Sequence, residues 1–392
     1  MRTQKSTIMN KFKFYFILLI ATLSLFSCNK NDDGITAIEE KPYSVQEPVE
    51  RATIEDYLNS YYIFSVDEDL SITFAPLTKT GKIKTLIDSP VITGVGTSFT
   101  KELAIGDDLY KTDKITKIGT ILEINSDTQI TLTTNAFFST DVDVPIKCWV
   151  NKTTINDQIT YPIKSKIVKL HGIEYTVKYL VLREGTGTAP TNTDAILTAY
   201  KGFYLQSSTT DAVTTITDTD FEEVKYPSSF FSLLNVVKGW SEMFPLFKKG
   251  TYSSNNDGSV SYKDFGAGVL FIPSGLGYYS YGSGSIPGYA PLVFSFKLYD
   301  VFRSDTDGDG IPNYQEDKNN DSYMYSFTNI INYPTYPGPD PDNKKDNSWY
   351  YDDFPDRDGI PNYLDIDDDG DKYTTAYEIK KGTNYLDASS HP

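Results

Sequence analysis

Residues 271–296, FIPSGLGYYSYGSGSIPGYAPLVFSF, place a stretch rich in glycine and tyrosine between two apolar ends. Both ends are predicted to be strands, because short apolar runs bounded by glycine and proline are typical of strands. The stretch contains five glycines and four tyrosines. Glycine allows tight backbone turns and tyrosine supplies apolar ring faces, so the sequence predicts an aromatic loop between two strands.

The whole chain is rich enough in aromatic residues to order such a loop. Of its 392 residues, 39% are hydrophobic, and 30 are tyrosine and 22 phenylalanine. This content supplies the apolar burial that folding requires, so it argues against disorder and favours a folded, β-rich protein. The length is sufficient for two or three domains.

Charge separates the C-terminal region from the rest of the chain. The net charge is −17, which argues against nucleic acid as a partner, since phosphate binding depends on clustered lysine and arginine. Residues 303–392 hold 20 acidic and 8 basic residues, a net charge of −12. This acidic segment is predicted to be a region of its own.

The N-terminus predicts an exported protein. Basic residues precede the apolar run FYFILLIATLSLF, which is too short to span a bilayer, so residues 1–27 are predicted to be a signal peptide. The sequence LFSC, ending at Cys28, resembles a bacterial lipobox, which implies lipidation of Cys28 and an outer-membrane lipoprotein. The alternative is a cysteine that happens to follow an ordinary cleavage site. The polar sequence NKNDD resembles a surface-export tag, which implies the cell surface, with the periplasmic face left open.

The segments before the aromatic loop differ in pattern. Residues 28–50 are predicted to be a lipid-anchored tether, and residues 51–80 a helical lead-in, with helical spacing of apolar residues over 49–63. Residues 81–150 alternate like short strands and predict a small β module that serves as a spacer or docking unit. Only two histidines occur, so histidine-based zinc sites and Ser/His/Asp triads are excluded, and His171 is predicted to be a turn residue.

Six motifs occur in order from residue 181: VLREGTG, AYKGFY, DFEEVKYPSSFFSLLNVVKGW, FKKG, GVLFIPSGLGY and IPGYAPLVFSFKLYDVF. In this order they resemble an FKBP-type peptidyl-prolyl cis-trans isomerase, predicted over residues 151–302. The resemblance implies an α+β, β-rich fold, with a curved antiparallel sheet wrapped over one short helix that begins after Leu233 and is capped near Asn235. The small β module and a calcium-stabilised, loop-rich C-terminal region complete the predicted fold class.

The resemblance also implies an aromatic pocket between the helix and the sheet, with Trp240 as its floor and the glycine-tyrosine loop above it. In the family's mechanism, the Tyr278 hydroxyl and the Ile286 backbone N–H hold substrate carbonyls. Where the family has aspartate after the phenylalanine, this chain has Glu222, whose longer side chain predicts a displaced carboxylate and reduced activity. The implied catalytic residues are Tyr200, Phe221, Glu222, Val236, Val237, Trp240, Tyr278, Ile286 and Phe294.

Two acidic loops have the spacing of EF-hand calcium loops. The first, DTDGDGIPNYQE, starts at Asp305, and the second, DDDGDKYTTAYE, starts at Asp367. Such loops present oxygen ligands from positions 1, 3, 5 and 12 and a carbonyl from position 7. The repeated DGIPNY resembles thrombospondin type 3 or dockerin-like repeats, and Lys372, at position 6 of the second loop, suits the sharp turn poorly. The predicted ligands of structural calcium over 303–392 are Asp305, Asp307, Asp309, Ile311, Glu316, Asp317, Asn319, Asp321, Asp356, Asp358, Asp365, Asp367, Asp369, Asp371, Tyr373 and Glu378.

Two functions follow from these patterns. The first is an isomerase that acts on proline-containing segments of exported proteins. The alternative is a noncatalytic FKBP-fold subunit or adhesin, stiffened by calcium, that docks on an outer-membrane protein complex. A proline isomerisation assay separates the two.

Overall fold

The computed structural model describes residues 40–140, 146–210, 213–317, 323–324 and 360–392. The predicted signal peptide and the first part of the predicted tether lie outside the described residues, and so do five predicted site residues: Cys28, Asn319, Asp321, Asp356 and Asp358.

Strands dominate the described part of the chain, which confirms the β-rich fold class. The α-helices are α1 (Tyr43–Ser60), α2 (Phe99–Glu102), α3 (Lys238–Met243) and α4 (Thr375–Lys381), and short 3-10 helices cover Phe244–Leu246, Ser274–Leu276, Asn313–Gln315 and Asn362–Leu364. The strands are β1 (Tyr61–Val66), β2 (Ile72–Pro76), β3 (Lys82–Lys84), β4 (Val91–Val95), β5 (Asp108–Lys111), β6 (Lys117–Ser126), β7 (Gln129–Leu132), β8 (Cys148–Val150), β9 (Lys164–Leu170), β10 (Ile173–Arg183), β11 (Ala195–Thr210), β12 (Val213–Val224), β13 (Phe231–Ser232), β14 (Thr251–Ser254), β15 (Val260–Lys263), β16 (Gly266–Ile272) and β17 (Leu292–Phe302).

The largest sheet within the described ranges is antiparallel, with the strand order β12-β11-β17-β16-β10-β9, and β13 pairs with β11. Its strand β16 has the sequence GAGVLFI, and every residue of it is buried. Leu270 and Ile272 belong to the apolar cluster that includes α3, whereas Val269 and Phe271 belong to the cluster that includes α1. Because successive side chains of a strand point to opposite faces, a helix covers each face of this sheet.

Helix α1 corrects the predictions for the tether and the helical lead-in. It begins at Tyr43, passes through Pro48 and ends before β1, whereas the sequence predicted an unstructured tether up to residue 50 and a helix over 49–63. Its buried face, formed by Ile54, Tyr57 and Leu58, packs against the large sheet. This packing compensates for the helix hydrogen bond that Pro48 cannot donate, which is why the helix extends through the proline.

Residues 82–150 form a separate sheet with the order β3-β4-β7-β6-β5-β8. Its apolar core includes Ile83, Phe99 and Ile130, all fully buried. The β1–β2 hairpin that follows α1 contacts this module, since the hydroxyl of Tyr62 donates to the carbonyl oxygen of Glu102 at 3.2 Å. The lead-in therefore contacts both the β module and the large sheet. His171 lies in the turn between β9 and β10 with a φ of 54°, as predicted.

Candidate functional site

The indole of Trp240, at the start of α3, lies at the centre of a group of aromatic side chains facing the large sheet. Its ring centroid is 5.0 Å from that of Tyr200 and 5.1 Å from that of Phe294, with interplanar angles of 86° and 80°. Such edge-to-face packing is a favourable arrangement of aromatic rings. Trp240 is only 4% exposed, and its Nε1–H has no hydrogen-bond partner among the described residues. A buried donor of this kind can serve a ligand, because leaving it unsatisfied costs free energy.

The glycine before Trp240 sets how closely α3 approaches the sheet. A Cβ atom on Gly239 would lie 2.5 Å from Cγ2 of Ile272 in β16. No side chain fits at such a distance, so only glycine lets the helix lie directly on the strand. The dipeptide GW is therefore a packing requirement that brings the indole against the sheet.

Helix α3 starts later than the sequence predicted. It begins at Lys238 with Val237 at the N-cap, and no side chain caps it, so the predicted cap at Asn235 is wrong. Asn235 instead lies in a turn, where its N–H donates to the Ser232 carbonyl at 3.0 Å. Val236 and Val237 are partly buried and pack against the cluster that contains Trp240. Both predicted wall residues therefore lie just before the helix, Val237 as its N-cap.

The carboxylate of Glu222 reaches the aromatic group around Trp240. The hydroxyl of Tyr200 donates to Oε2 of Glu222 at 2.7 Å. Burial raises the pKa of Tyr200, and the hydrogen bond and charge of Glu222 raise it further, as does the nearby Tyr278. Tyr200 therefore stays a protonated hydrogen-bond donor to this carboxylate, and the effect of the longer side chain on activity remains a prediction.

A β-bulge makes this placement possible. Gly202 pairs with Glu222 and Phe203 pairs with Asp220, so Phe221 is the extra residue on β12. The bulge lets Phe221 and Glu222 both face the pocket, where the Phe221 ring lies 5.6 Å from that of Phe294. A Cβ on Gly202 would lie 2.4 Å from Cζ of Phe221, so the glycine of AYKGFY makes room for this wall.

Sequence reasoning missed Phe231, which completes the wall. Its ring lies 6.0 Å from Trp240 and 5.9 Å from Tyr200, nearly perpendicular to both. The sequence SSFFSLL contains two adjacent phenylalanines, which indicate that one of them faces the aromatic group. Which of the two faces inward is decided by the pairing of β13 with β11, which joins Phe231 to Ile196.

The glycine-tyrosine loop contributes Ile286 to the pocket cluster, with 7% of its side chain exposed. The N–H of Ile286 donates to the Ser283 carbonyl at 2.9 Å. The role implied for this N–H, binding a substrate carbonyl, therefore requires that it share or exchange an existing bond. Tyr278 is 37% exposed.

Helix α1 holds the start of this loop. The Ser274 N–H donates to Oε2 of Glu50 at 2.6 Å, and the Ser274 hydroxyl donates to Oε1 of the same carboxylate. Glu50 is 2% exposed, and burial raises its pKa. Tyr43 stacks on Tyr279 with ring centroids 4.0 Å apart. The loop is thus tied to a helix that the sequence placed outside the isomerase-like domain.

The two acidic loops have the same local structure. In the first, Asp305 accepts from the N–H of Gly310, and in the second Asp367 accepts from that of Lys372, which occupies the same position 6. The aspartates at position 3 accept from the N–H at position 5, and those at position 5 accept from the N–H at position 7, in both loops. Lys372 adopts a φ of 82°, comparable to the 101° of Gly310, so the second loop makes the predicted sharp turn without glycine.

The carboxylates of these loops fit a bound cation. One oxygen of each of Asp305, Asp307 and Asp309 lies within 4.8 Å of the others, and the same holds for Asp367, Asp369 and Asp371. Burial and the charge of Asp309 raise the pKa of Asp307 to about 7, because nothing within the described residues neutralises the clustered charge. Buried oxygens without a hydrogen-bond partner in the described ranges are Asp307 Oδ2, Asp309 Oδ2, Asp367 Oδ1, Asp369 Oδ2, Asp371 Oδ2 and Glu378 Oε2.

Several other predicted ligands within the described ranges lie outside the two groups of aspartates. Asp317 and Asp365 are buried but belong to neither group of aspartates. Glu378 is fully buried; burial raises its pKa, and the charge of Asp369 adds a smaller rise. The N–H groups of Ile311 and Tyr373 donate to aspartates at 2.7 Å each. A third group joins Asp309 and Glu316 to Asp368, a residue that the loop pattern did not include.

Comparison with known proteins finds a family model at the acidic end of the chain and relatives of part of the chain. A family model described as BamM C-terminal matches residues 306–391. Over 144 residues the chain is 30% identical to the FKBP-type peptidyl-prolyl cis-trans isomerase FkpA of Aeromonas hydrophila, which is 36% of this chain and 45% of that protein. The chain thus spans less than half of the length of this curated relative.

Solved structures of isomerases are among its structural neighbours. One is a peptidyl-prolyl cis-trans isomerase from Pseudomonas syringae pv. tomato, 23% identical, covering 32% of this chain and 76% of the other with a TM-score of 0.24. Another is FkpA from Escherichia coli, 28% identical, covering 32% and 48% respectively, also with a TM-score of 0.24. Among the helices described for this chain, none has the length and apolar character needed to cross a membrane.

Proposed function

We propose that this protein is a peptidyl-prolyl cis-trans isomerase that binds X-Pro segments of exported proteins over Trp240. The observation that carries the proposal is the buried indole, bordered edge-on by Tyr200, Phe231 and Phe294, whose N–H has no partner in the part of the chain that the structure describes. The similarity of part of the chain to FkpA supports the same reaction.

The mechanism follows from the electronic structure of the peptide bond. Resonance gives the planar amide its double-bond character and a rotation barrier of about 18–20 kcal/mol. Twisting the bond removes the resonance and reduces the polarity of the carbonyl. A dry aromatic pocket solvates the planar, polar amide less well than water does. The free energy of the twisted state therefore falls relative to that of the planar ground state. No nucleophile or general base is required.

The remaining residues position the substrate. The bond from Tyr200 to Glu222 fixes the ring that packs against Trp240, and Glu222 thereby takes the place of the family's aspartate. The hydroxyl of the partly exposed Tyr278 is the donor proposed for the substrate carbonyl. The Ile286 N–H is a second donor once it is released from Ser283.

The test is a proline isomerisation assay on the calcium-loaded chain lacking residues 1–28. We expect wild-type protein to accelerate isomerisation, and Tyr278→Phe to lower kcat/KM about two- to tenfold, the effect of one hydrogen bond of ~0.5–1.5 kcal/mol. Tyr281→Phe is the matched control, because this tyrosine of the same loop is 89% exposed. Phe294→Leu probes the wall better than alanine, since leucine fills more of the space, whereas truncating a buried phenylalanine to alanine costs about 3–5 kcal/mol of stability. No acceleration by wild-type protein would refute the isomerase.

The second candidate is a noncatalytic subunit of an outer-membrane protein complex. The match of residues 306–391 to the BamM C-terminal family model favours it. In this case the aromatic pocket binds a proline-containing partner without turnover. Stable co-purification with an outer-membrane complex, together with absence of isomerase activity, would establish this alternative.

We also propose that the protein is anchored in the outer membrane through a lipid on Cys28 and faces the cell surface. Metabolic labelling with a fatty acid should label the wild-type chain and leave Cys28→Ser unlabelled. Protease treatment of intact cells then distinguishes the cell surface from the periplasmic face.

Calcium is the proposed structural cofactor of the two acidic loops. Carboxylate oxygens are the ligands that calcium prefers, and a bound ion would satisfy the buried oxygens that lack partners. Because binding to the folded state stabilises it, a chelator should lower the melting temperature. A calcium titration with neither bound ions nor a change in melting temperature would refute this role.

A further inference from the structure

Asp368 points away from its own loop and toward the other one. In the second loop, the ligand positions 1, 3 and 5 are Asp367, Asp369 and Asp371, whose oxygens cluster together. Asp368 is at position 2 and is excluded from that cluster. One of its carboxylate oxygens instead lies within 4.8 Å of oxygens of Asp309 and Glu316, which are positions 5 and 12 of the first loop.

The three carboxylates form a buried group. Asp309 is 5% exposed, and Glu316 and Asp368 are each 1% exposed. Oδ1 of Asp309 accepts the Ile311 N–H at 2.7 Å, but its buried Oδ2 has no hydrogen-bond partner in the described part of the chain. An unsatisfied buried carboxylate oxygen beside two further buried carboxylates is costly unless a cation compensates the charge.

The backbone holds Asp368 in this orientation. Its N–H donates to Oγ1 of Thr375 at 3.2 Å, and the Thr375 N–H donates to the Ile366 carbonyl at 2.9 Å. Thr375 is the first residue of α4 and is fully buried. The position of Asp368 is therefore set by the start of the C-terminal helix.

The oxygen spacing suits one calcium ion. Calcium binds six to eight oxygens at about 2.3–2.6 Å, so ligand oxygens on opposite sides of one ion are up to about 5 Å apart. Oxygens that all lie within 4.8 Å of one another fit around a single such ion. Carboxylates are hard ligands, which excludes the softer metals that prefer sulfur or nitrogen.

We propose that Asp368 of the second loop, with Asp309 and Glu316 of the first, binds a calcium ion that joins the two loops. This rests on the proposed calcium function and adds a ligand that the loop pattern lacks. The ion connects residues 305–317 to residues 360–392 across the intervening chain. Calcium then determines whether α4 stays attached to the first loop, in addition to ordering each loop separately.

Native mass spectrometry and calorimetric titration with calcium chloride test this on the chain lacking residues 1–28. We expect Asp368→Asn to bind fewer calcium ions or to bind one of them about tenfold or more weakly, since ligand charge sets affinity. Asp387→Asn, an exposed aspartate of the same segment, should bind as wild type does. In hydrogen exchange, Asp368→Asn should lose calcium-dependent protection in both loops.

The outcomes separate the two proposals. If wild-type protein binds no calcium, the structural role of calcium fails and the bridging ion fails with it. If wild-type protein binds calcium and Asp368→Asn matches it in number, affinity and protection, only the bridging ion is refuted.

A second measurement leaves every carboxylate in place. Tyr385 follows α4 in the same segment; burial raises its pKa, and the charges of Asp368, Glu316 and Asp309 raise it further. Terbium substitutes for calcium and emits when a nearby tyrosine is excited. Tyr385→Phe should reduce the sensitised emission relative to Tyr281→Phe, and an unchanged emission would refute an ion at Asp368.

Discussion

The contact between Glu50 and Ser274 offers a direct test of whether α1 orders the loop above the pocket. Both side chains are buried, at 2% and 1% exposed, and the carboxylate accepts the N–H and the hydroxyl of the serine. Glu50→Ala removes both acceptors. The loop from 274 onward, which carries Tyr278 and Ile286, then loses its tie to α1.

The structure sets the size of the expected effect. An N–H left buried without an acceptor costs about 1–3 kcal/mol, whereas the serine hydroxyl can rotate toward another partner. Two smaller effects oppose this loss of stability. Burial raises the pKa of Glu50, so removing its carboxylate relieves a desolvation cost. Alanine is also the better helix former by a few tenths of a kcal/mol. We expect a net loss of about 1–2 kcal/mol, or a fall in melting temperature of roughly 2–8 °C.

The assay is hydrogen exchange of peptides covering 273–290, together with thermal unfolding and kcat/KM. Glu50→Ala should increase exchange in this loop more than elsewhere, and Glu50→Gln should retain most of the protection because its amide keeps an acceptor. Glu47→Ala is the control, since this acid of the same helix pairs with Arg51 at 3.1 Å. If exchange in 273–290 is the same in Glu50→Ala and wild type, the reasoning is wrong.

Three further predictions concern the wall of the pocket, the second acidic loop and the first acidic loop. Gly202→Ala should lower kcat/KM and cost about 1–3 kcal/mol of stability, since its Cβ would lie 2.4 Å from Phe221; unchanged kinetics and denaturation would contradict this. Lys372→Gly should stabilise the calcium-loaded protein by about 1 kcal/mol in chemical denaturation, because glycine adopts the positive φ of this position without strain. The control Lys380→Gly, within α4, should destabilise it. In the presence of a chelator, the melting temperature should fall as the pH rises from about 4 to about 7. Burial and like charge raise the pKa of Asp307 to about 7, so the folded state holds this proton more tightly than the unfolded chain does. A melting temperature that rises over this pH range would refute the prediction.

Much of the pocket could be predicted from the chain, since the ordered motifs placed Tyr200, Trp240 and Phe294, whose rings do meet. The side of the strand that Phe231 takes and the reach of Glu222 could not be predicted. Both depend on strand pairing, namely the β13–β11 ladder and the bulge opposite Gly202. A register of this kind changes which side chains share a face without changing any local pattern.

The sequence by itself determined the features that depend on neighbours along the chain. These are the turns of the two acidic loops, whose aspartates are set by spacing within twelve residues, and the strand-like runs of the sheet. Only the tertiary structure decided that α1 covers the large sheet, that Glu50 reaches Ser274 and that Asp368 turns toward Asp309. Each of these contacts joins residues far apart in sequence, and local periodicity carries no information about which distant surface a buried face will meet.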